Sequence, residues 1–208
     1  PYNGTTTTFE AAADDVCNFR VYAIRESEGS KNVYFKLTSS FPEVSIGDYW
    51  DGSEDIAGIS LTSSIYQNVY DDEPWNFSIR LKPKSYPRST FVVTGSDEAS
   101  KVTPTEQYDV VFTGINPKTS EIRDMFVLSQ SIPNSTARAM ITARKRLFVG
   151  ADRTDLTGEL KFRSDMQASS VAFWGKYIDD SDLIQHANDF ENIGASNTQN
   201  FLSPLDFN

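Results

Sequence analysis

The most restrictive feature of the chain is a strict alternation of apolar and polar side chains in "WNFSIRLK", residues 75–82. Successive side chains of a β-strand point to opposite faces, so a period of two indicates a strand. One face carries Trp75, Phe77, Ile79 and Leu81, and the other carries Asn76, Ser78, Arg80 and Lys82. The pattern predicts a strand whose first face lies in a core and whose second face lies in water. Pro74 and Pro83 stand where strand boundaries are expected.

Similar but shorter runs recur along the chain. The run 16–24 predicts a strand with Cys17, Phe19, Val21 and Ala23 on one face, and "NVYFKLTS" predicts another with Val33, Phe35 and Leu37 inward. Further strands are predicted at 90–95, 108–114, 125–132, 146–151, 158–163 and 169–175. Turn-forming clusters such as "GINPKTSE" and "IPNST" separate these runs. Roughly ten or more strands at hairpin-like spacing predict an all-β fold, an antiparallel two-sheet β-sandwich.

One short helix is predicted near the end of the chain, at residues 180–190. Asp179, Asp180 and Ser181 offer an N-cap and place negative charge at the positive end of the helix dipole. An apolar stripe then follows, made of Leu183, Ile184, Ala187 and Phe190. A helix of this length is marginal alone, so we expect the stripe to dock it on the sandwich.

Length and composition are consistent with one domain. The 208 residues include 14 Phe, 9 Tyr and 3 Trp, enough to fill a packed interior. We expect an N-terminal arm at 1–15, the sandwich at 16–194, and a tail or linker to a following domain at 195–208. The chain begins with Pro1 rather than Met and ends in "FLSPLDFN", from which we expect an excised piece, a processed product or one domain of a longer polypeptide.

Charge and residue counts exclude several classes of function. The net charge of −10 disfavours nucleic acid and anionic membrane surfaces as partners, and no apolar run is long enough to span a bilayer, so membrane insertion is not expected. Cys17 and His186 are the single cysteine and the single histidine. An internal disulfide and a Cys/His zinc site are therefore impossible. We interpret Cys17 as a buried structural thiol and His186 as a partly exposed helix residue.

The C-terminal half resembles the closing portion of laminin-G-like domains, which belong to the concanavalin A-like lectin/glucanase jelly rolls. The matching residues are Val149-Gly150, Leu156 with Gly158 and Leu160, the run Val171–Trp174, and the run Ile178–Ile184. "WNFSIRLKP" is similar to an earlier strand of that family. The resemblance covers about residues 75–194, while the first 70 residues match only in strand character.

The resemblance implies a non-catalytic module of a larger virion or cell-surface structural protein, serving assembly or adhesion. Its partners would be other structural domains or subunits, and its location the virion or the extracellular surface. A glycan-binding lectin domain and a glycoside hydrolase are the alternatives on the same fold. Retaining hydrolases need two carboxylates about 5 Å apart. The alternating acidic pattern of the glucanases with this fold does not occur here, so we expect no enzyme activity.

Two sets of residues are candidates for ligand binding. Sugar rings stack on aromatic side chains while acids and amides bind the hydroxyls. The irregular region 40–74 supplies Tyr49, Trp50, Asp51, Asp55, Tyr66 and Tyr70, although these rings could equally anchor loops or the core. We assign Trp75 and Trp174 to the core or to the helix contact. Members of this family often bind Ca²⁺ in rim loops, which makes Asp152 and Asp155 candidate ligands, although both could instead cap the turn.

Overall fold

The structure, a computed structural model, describes residues 19–39, 58–84, 107–118, 121–133, 136–137, 140–141, 147–153, 160–164, 166–189 and 191. The strands are β1 (Arg20–Arg25), β2 (Val33–Thr38), β3 (Ser60–Tyr66), β4 (Asn76–Pro83), β5 (Gln107–Lys118), β6 (Glu121–Pro133), β7 (Ala151–Arg153) and β8 (Leu160–Arg163), and one helix, α1, spans Asp180–Asn188. Residues 136–137 and 140–141 are also helical. Three antiparallel sheets, β1-β2-β3, β4-β5-β6 and β7-β8, confirm the expected all-β antiparallel class.

The first sheet confirms the inward face of its central strand. Val33, Phe35 and Leu37 of β2 are fully buried. Val21 of β1 lies opposite Leu37 and therefore shares that face, as predicted, yet 38% of Val21 is exposed. The expected burial of Val21 and Ala23 is wrong because β1 is the edge strand. Cys17 lies outside the described residues.

The second sheet is built around its long central strand, β5. Phe77 of β4 and Phe126 of β6 both lie opposite Gly114 of β5. A Cβ atom at residue 114 would stand 2.3 Å from Cε1 of Phe126, so the ring occupies the space that any larger residue would need. Glycine is therefore required here by close approach of a neighbouring ring.

An aromatic core lies between the first and second sheets. The ring of Phe35 in β2 is 4.6 Å from that of Trp75, 4.8 Å from that of Phe77 and 5.8 Å from that of Phe126, between centroids. Tilted and offset rings at these separations are favourable beyond their buried area. Gln130 of β6 links the layers at another point, because it donates to the carbonyl of Gly58 and accepts from the amide of Ser60. Trp75 thus packs with the core, as predicted.

The opposite face of the second sheet is covered by α1 and the chain leading into it. Ile115 of β5, Ile178 and Leu183 form a second buried cluster, against which Trp174 and Ile184 pack. The prediction that the polar face of β4 lies in water is therefore wrong. Arg80, on that face, is buried. Alternation shows which side chains share a face; the covering helix, distant in sequence, determines that Arg80 is buried. The expected burial of Phe77 on the other face is wrong, because 39% of Phe77 is exposed.

The position of α1 agrees with the sequence prediction, but its N-cap and the burial of His186 differ from it. Asp179 takes the N-cap conformation without a side-chain capping bond, while Asp180 and Asp182 place charge in the first turn. Leu183 is buried as expected, whereas the prediction that His186 is exposed is wrong, because its ring packs 5.1 Å from that of Trp174. Phe190 lies outside the described residues. The described helix is neither long nor apolar enough to cross a membrane.

Other predicted elements are shifted or fall elsewhere. The run 146–151 contributes only the start of β7, and residues 169–175 form no strand at all. The irregular region 40–74 contains the regular strand β3. The predicted strand at 90–95, the arm 1–15 and the tail 195–208 lie outside the described residues.

Candidate functional site

Asp152, a candidate calcium ligand, is engaged within the protein. Its Oδ1 accepts a bond from Nε of Arg20 at 3.1 Å, and its Oδ2 accepts one from the hydroxyl of Tyr22 at 3.0 Å. These contacts tie β7 to β1, and the guanidinium already balances the carboxylate charge. Asp155 lies outside the described residues. Among the residues that are described, no three His, Cys, Asp or Glu side chains come together as a metal site.

The two described tyrosines of the expected glycan surface lie in different surroundings. Tyr66 belongs to the core, where its ring centroid is 5.0 Å from that of Trp75. Burial and, secondarily, the charge of Asp124 raise the pKa of the Tyr66 phenol. Tyr70 is exposed, with the guanidinium of Arg25 3.7 Å from its ring centroid. Tyr49, Trp50, Asp51 and Asp55 lie outside the described residues.

A polar cluster closes one end of the aromatic core. Asn116 is buried in β5 and its Nδ2 lies 3.5 Å from Oε2 of Glu73, whose Oε1 accepts a bond from Arg123 at 2.7 Å. Oδ1 of Asn116 has no hydrogen-bond partner within the described chain. Since Glu73 is held by Arg123, we interpret the cluster as a closure of the strand ends.

The surface that stands out is the segment 166–174, "MQASSVAFW". It carries no charge, although the chain has a net charge of −10. Residues 166–173 are all exposed, including 60% of Val171 and 81% of Phe173. Within the part of the chain that the structure describes, no hydrogen bond joins these eight residues to the rest of the protein. An unpaired, uncharged and strand-prone run is an open template for pairing with another chain.

Both ends of segment 166–174 are held in place. Just before it, the amide of Ser164 donates to the carbonyl of Gly150, whose φ of +71° belongs to the left-handed region that favours glycine. At its end, Trp174 packs on α1 beside His186. The segment therefore lies between two fixed points, which we call its anchors: the hydrogen bond from Ser164 to Gly150, and Trp174 packed on α1.

Arg80 secures the second anchor. Its guanidinium donates to the carbonyl of Ile178 at 2.9 Å and to Tyr177 at 3.1 Å, and it pairs with Asp180 at 2.7 Å. A fourth contact reaches Thr113 of β5 at 2.9 Å. A buried guanidinium with several acceptors in fixed positions ties the chain after segment 166–174 to the second sheet.

The alternation in "SSVAFWG" predicts a strand of the sandwich and not an exposed segment. The lack of charge over residues 166–175 is the sequence signal that distinguishes this segment from the other predicted strands. A strand with one face in water normally carries charged as well as uncharged polar side chains on that face. Trp174 does contact the helix, as predicted.

Comparison with known proteins identifies no relative, since no family model, no curated protein and no solved structure matches the chain. Over the residues that the structure describes, the fold defines an antiparallel β protein with three sheets and a docked helix at Asp180–Asn188.

Proposed function

We propose that the chain is a non-catalytic laminin-G-like module of a larger virion or cell-surface structural protein, with a role in assembly or adhesion. The proposal includes closure of the first two sheets into a concanavalin A-like sandwich. The core shared by Phe35 and Phe126 supports that closure. Partners would be other structural domains or subunits.

The observation that carries the proposed role is segment 166–174. Apolar side chains are common on protein surfaces, but a large ring that is 81% exposed in an unpaired strand-like run is costly to leave in water. Burial of Phe173 and pairing of the surrounding backbone would both favour association. An assembly module gains from such a surface, whereas a hydrolase needs a groove with paired carboxylates.

Hydrogen exchange tests the role directly. We expect the amides of 166–173 to exchange at unprotected rates in the isolated chain and to become protected in the assembly from which the protein is purified. The amides of Glu28 and Gly29, which lie in an exposed turn and donate no hydrogen bond within the described residues, serve as the unprotected internal reference. Equal exchange of segment 166–173 in both samples would refute the role in assembly.

The lectin alternative retains one specific observation, the exposed ring of Tyr70. A glycan array with and without calcium separates the two functions. We expect no sugar signal from the wild-type chain. A signal that Tyr70→Ala abolishes, without loss of folded structure, would favour the lectin.

A further inference from the structure

We propose that residues 170–174 of this segment pair with the same residues of a second copy of this chain, as two antiparallel strands related by a two-fold axis through Ala172. This inference rests on the proposed role in assembly and names the partner.

The lack of charge in the segment permits pairing with a second copy and gives a charged strand of another protein nothing to pair with. Self-association of a chain with a net charge of −10 is opposed by repulsion wherever acidic surfaces meet. Residues 166–175 carry no charge, so pairing these segments places no like charges opposite each other. A charged partner would instead select a segment with complementary charges, and this one has none.

The order of the side chains favours one register. With the axis through Ala172, Val171 of one copy lies opposite Phe173 of the other, and the pair occurs twice. A β-branched residue opposite an aromatic ring is a favourable cross-strand pair, and directly opposite residues share a face. Moving the axis to Val171 places Phe173 opposite Ser169 and loses both pairs. The other face of the ribbon carries the two copies of Ala172, flanked by Ser170 opposite Trp174, and Trp174 packs against the helix cluster of its own chain.

Backbone pairing provides the remaining driving force. Residues 170–173, which the axis through Ala172 places opposite residues 171–174 of the other copy, make no hydrogen bonds to other described residues. The anchors at Gly150 and Trp174 hold the ends, which reduces the entropy lost when the segment becomes a strand. A pair of short strands is a small interface, so we expect a dissociation constant on the order of 100 µM.

Disulfide trapping tests the register. Both variants are made in a Cys17→Ser background, so that the introduced cysteine is the only thiol. Ala172→Cys places the two thiols of a dimer opposite each other, within the range that a disulfide spans. Ser169→Cys is the matched control, because the two copies of residue 169 would lie six positions apart, roughly 20 Å. Both positions are exposed, so neither change disturbs the folded monomer.

We expect mild oxidation to cross-link at least tenfold more of the Ala172→Cys chain than of the control. Equal yields would overturn the proposed register. Sedimentation equilibrium of the unmodified chain should show an increase in average mass with concentration, and Val171→Lys should remove it. A chain that stays monomeric up to millimolar concentration overturns self-pairing. If segment 166–173 is nevertheless protected in the native assembly, the role in assembly stands and only the identity of the partner is refuted.

Discussion

Replacement of Arg80 by methionine is expected to destabilise the protein strongly and to loosen α1. Methionine has a similar length and keeps the apolar contacts of the side chain, but it removes every donor. The carbonyl of Ile178 and the hydroxyl of Thr113 would then lose bonds of 2.9 Å in a buried environment. The substitution therefore isolates the polar role of the guanidinium from its packing.

The expected loss follows from these contacts. A hydrogen bond from a charged donor contributes about 1.5–3 kcal/mol, and a buried acceptor left unpaired costs about 1–3 kcal/mol. The ion pair adds little, at most about 1 kcal/mol, because the Asp180 side chain is 57% exposed whereas that of Arg80 is only 6% exposed. The contributions are not additive, and part of the loss is recovered by water entering the site. We expect a decrease of about 3–4 kcal/mol in the free energy of unfolding.

Urea denaturation measures this change, with circular dichroism reporting the sheets and fluorescence reporting the combined environments of the three tryptophans, Trp174 among them. Lys82→Met is the matched control, since residue 82 lies on the same face of β4 and its ammonium is 5.4 Å from the Tyr177 ring centroid. The control should lose less than about 1 kcal/mol. If Arg80→Met loses no more than the control does, the argument that Arg80 anchors the chain before α1 is wrong.

Three further changes test other contacts. Gly114→Ala should cost about 1–3 kcal/mol in urea denaturation, because the new methyl group would displace the ring of Phe126. Asp152→Ala should cost about 1–2 kcal/mol by the same method, because it removes the side-chain bonds to Arg20 and Tyr22 that tie β7 to β1. Millimolar calcium should leave the wild-type melting temperature unchanged. Tyr66 has a folded-state pKa above its ordinary value of 10.0, so its contribution to stability is complete below pH 10 and falls as the pH rises through the folded pKa. In a plot of melting temperature against pH, Tyr66→Phe should reduce the decrease above pH 10.

Each of these predictions has an outcome that contradicts it. A neutral Gly114→Ala variant would mean that the ring moves aside without cost. Asp71→Ala is the control for Asp152→Ala, because its ion pair with Lys31 is exposed and should contribute little. A calcium-dependent rise in melting temperature that Asp152→Ala removes would restore the calcium site. An unchanged alkaline profile in Tyr66→Phe would assign the loss of stability to other groups.

Local periodicity accounts for what could be predicted about the fold. The inward face of β2, the alternation in β4 and the position of α1 follow from neighbouring residues in the sequence, because backbone geometry dictates which side chains share a face. The candidate site could not be predicted in the same way. The alternation in "SSVAFWG" is compatible with a strand that is paired and with one that awaits a partner.

The sequence by itself determined the antiparallel β class of this chain and the position of the helix at 180–188, but not the helical residues at 136–137 and 140–141. Tertiary structure alone decided which faces are buried: Arg80 is covered because Ile178, 98 residues later, returns to β4, while Phe173 remains in water although it is apolar. The physical reason is that burial depends on which elements pack together, and this involves contacts between residues far apart in the chain. Local sequence patterns specify which side chains share a face of a strand, and tertiary packing decides which of these faces is buried.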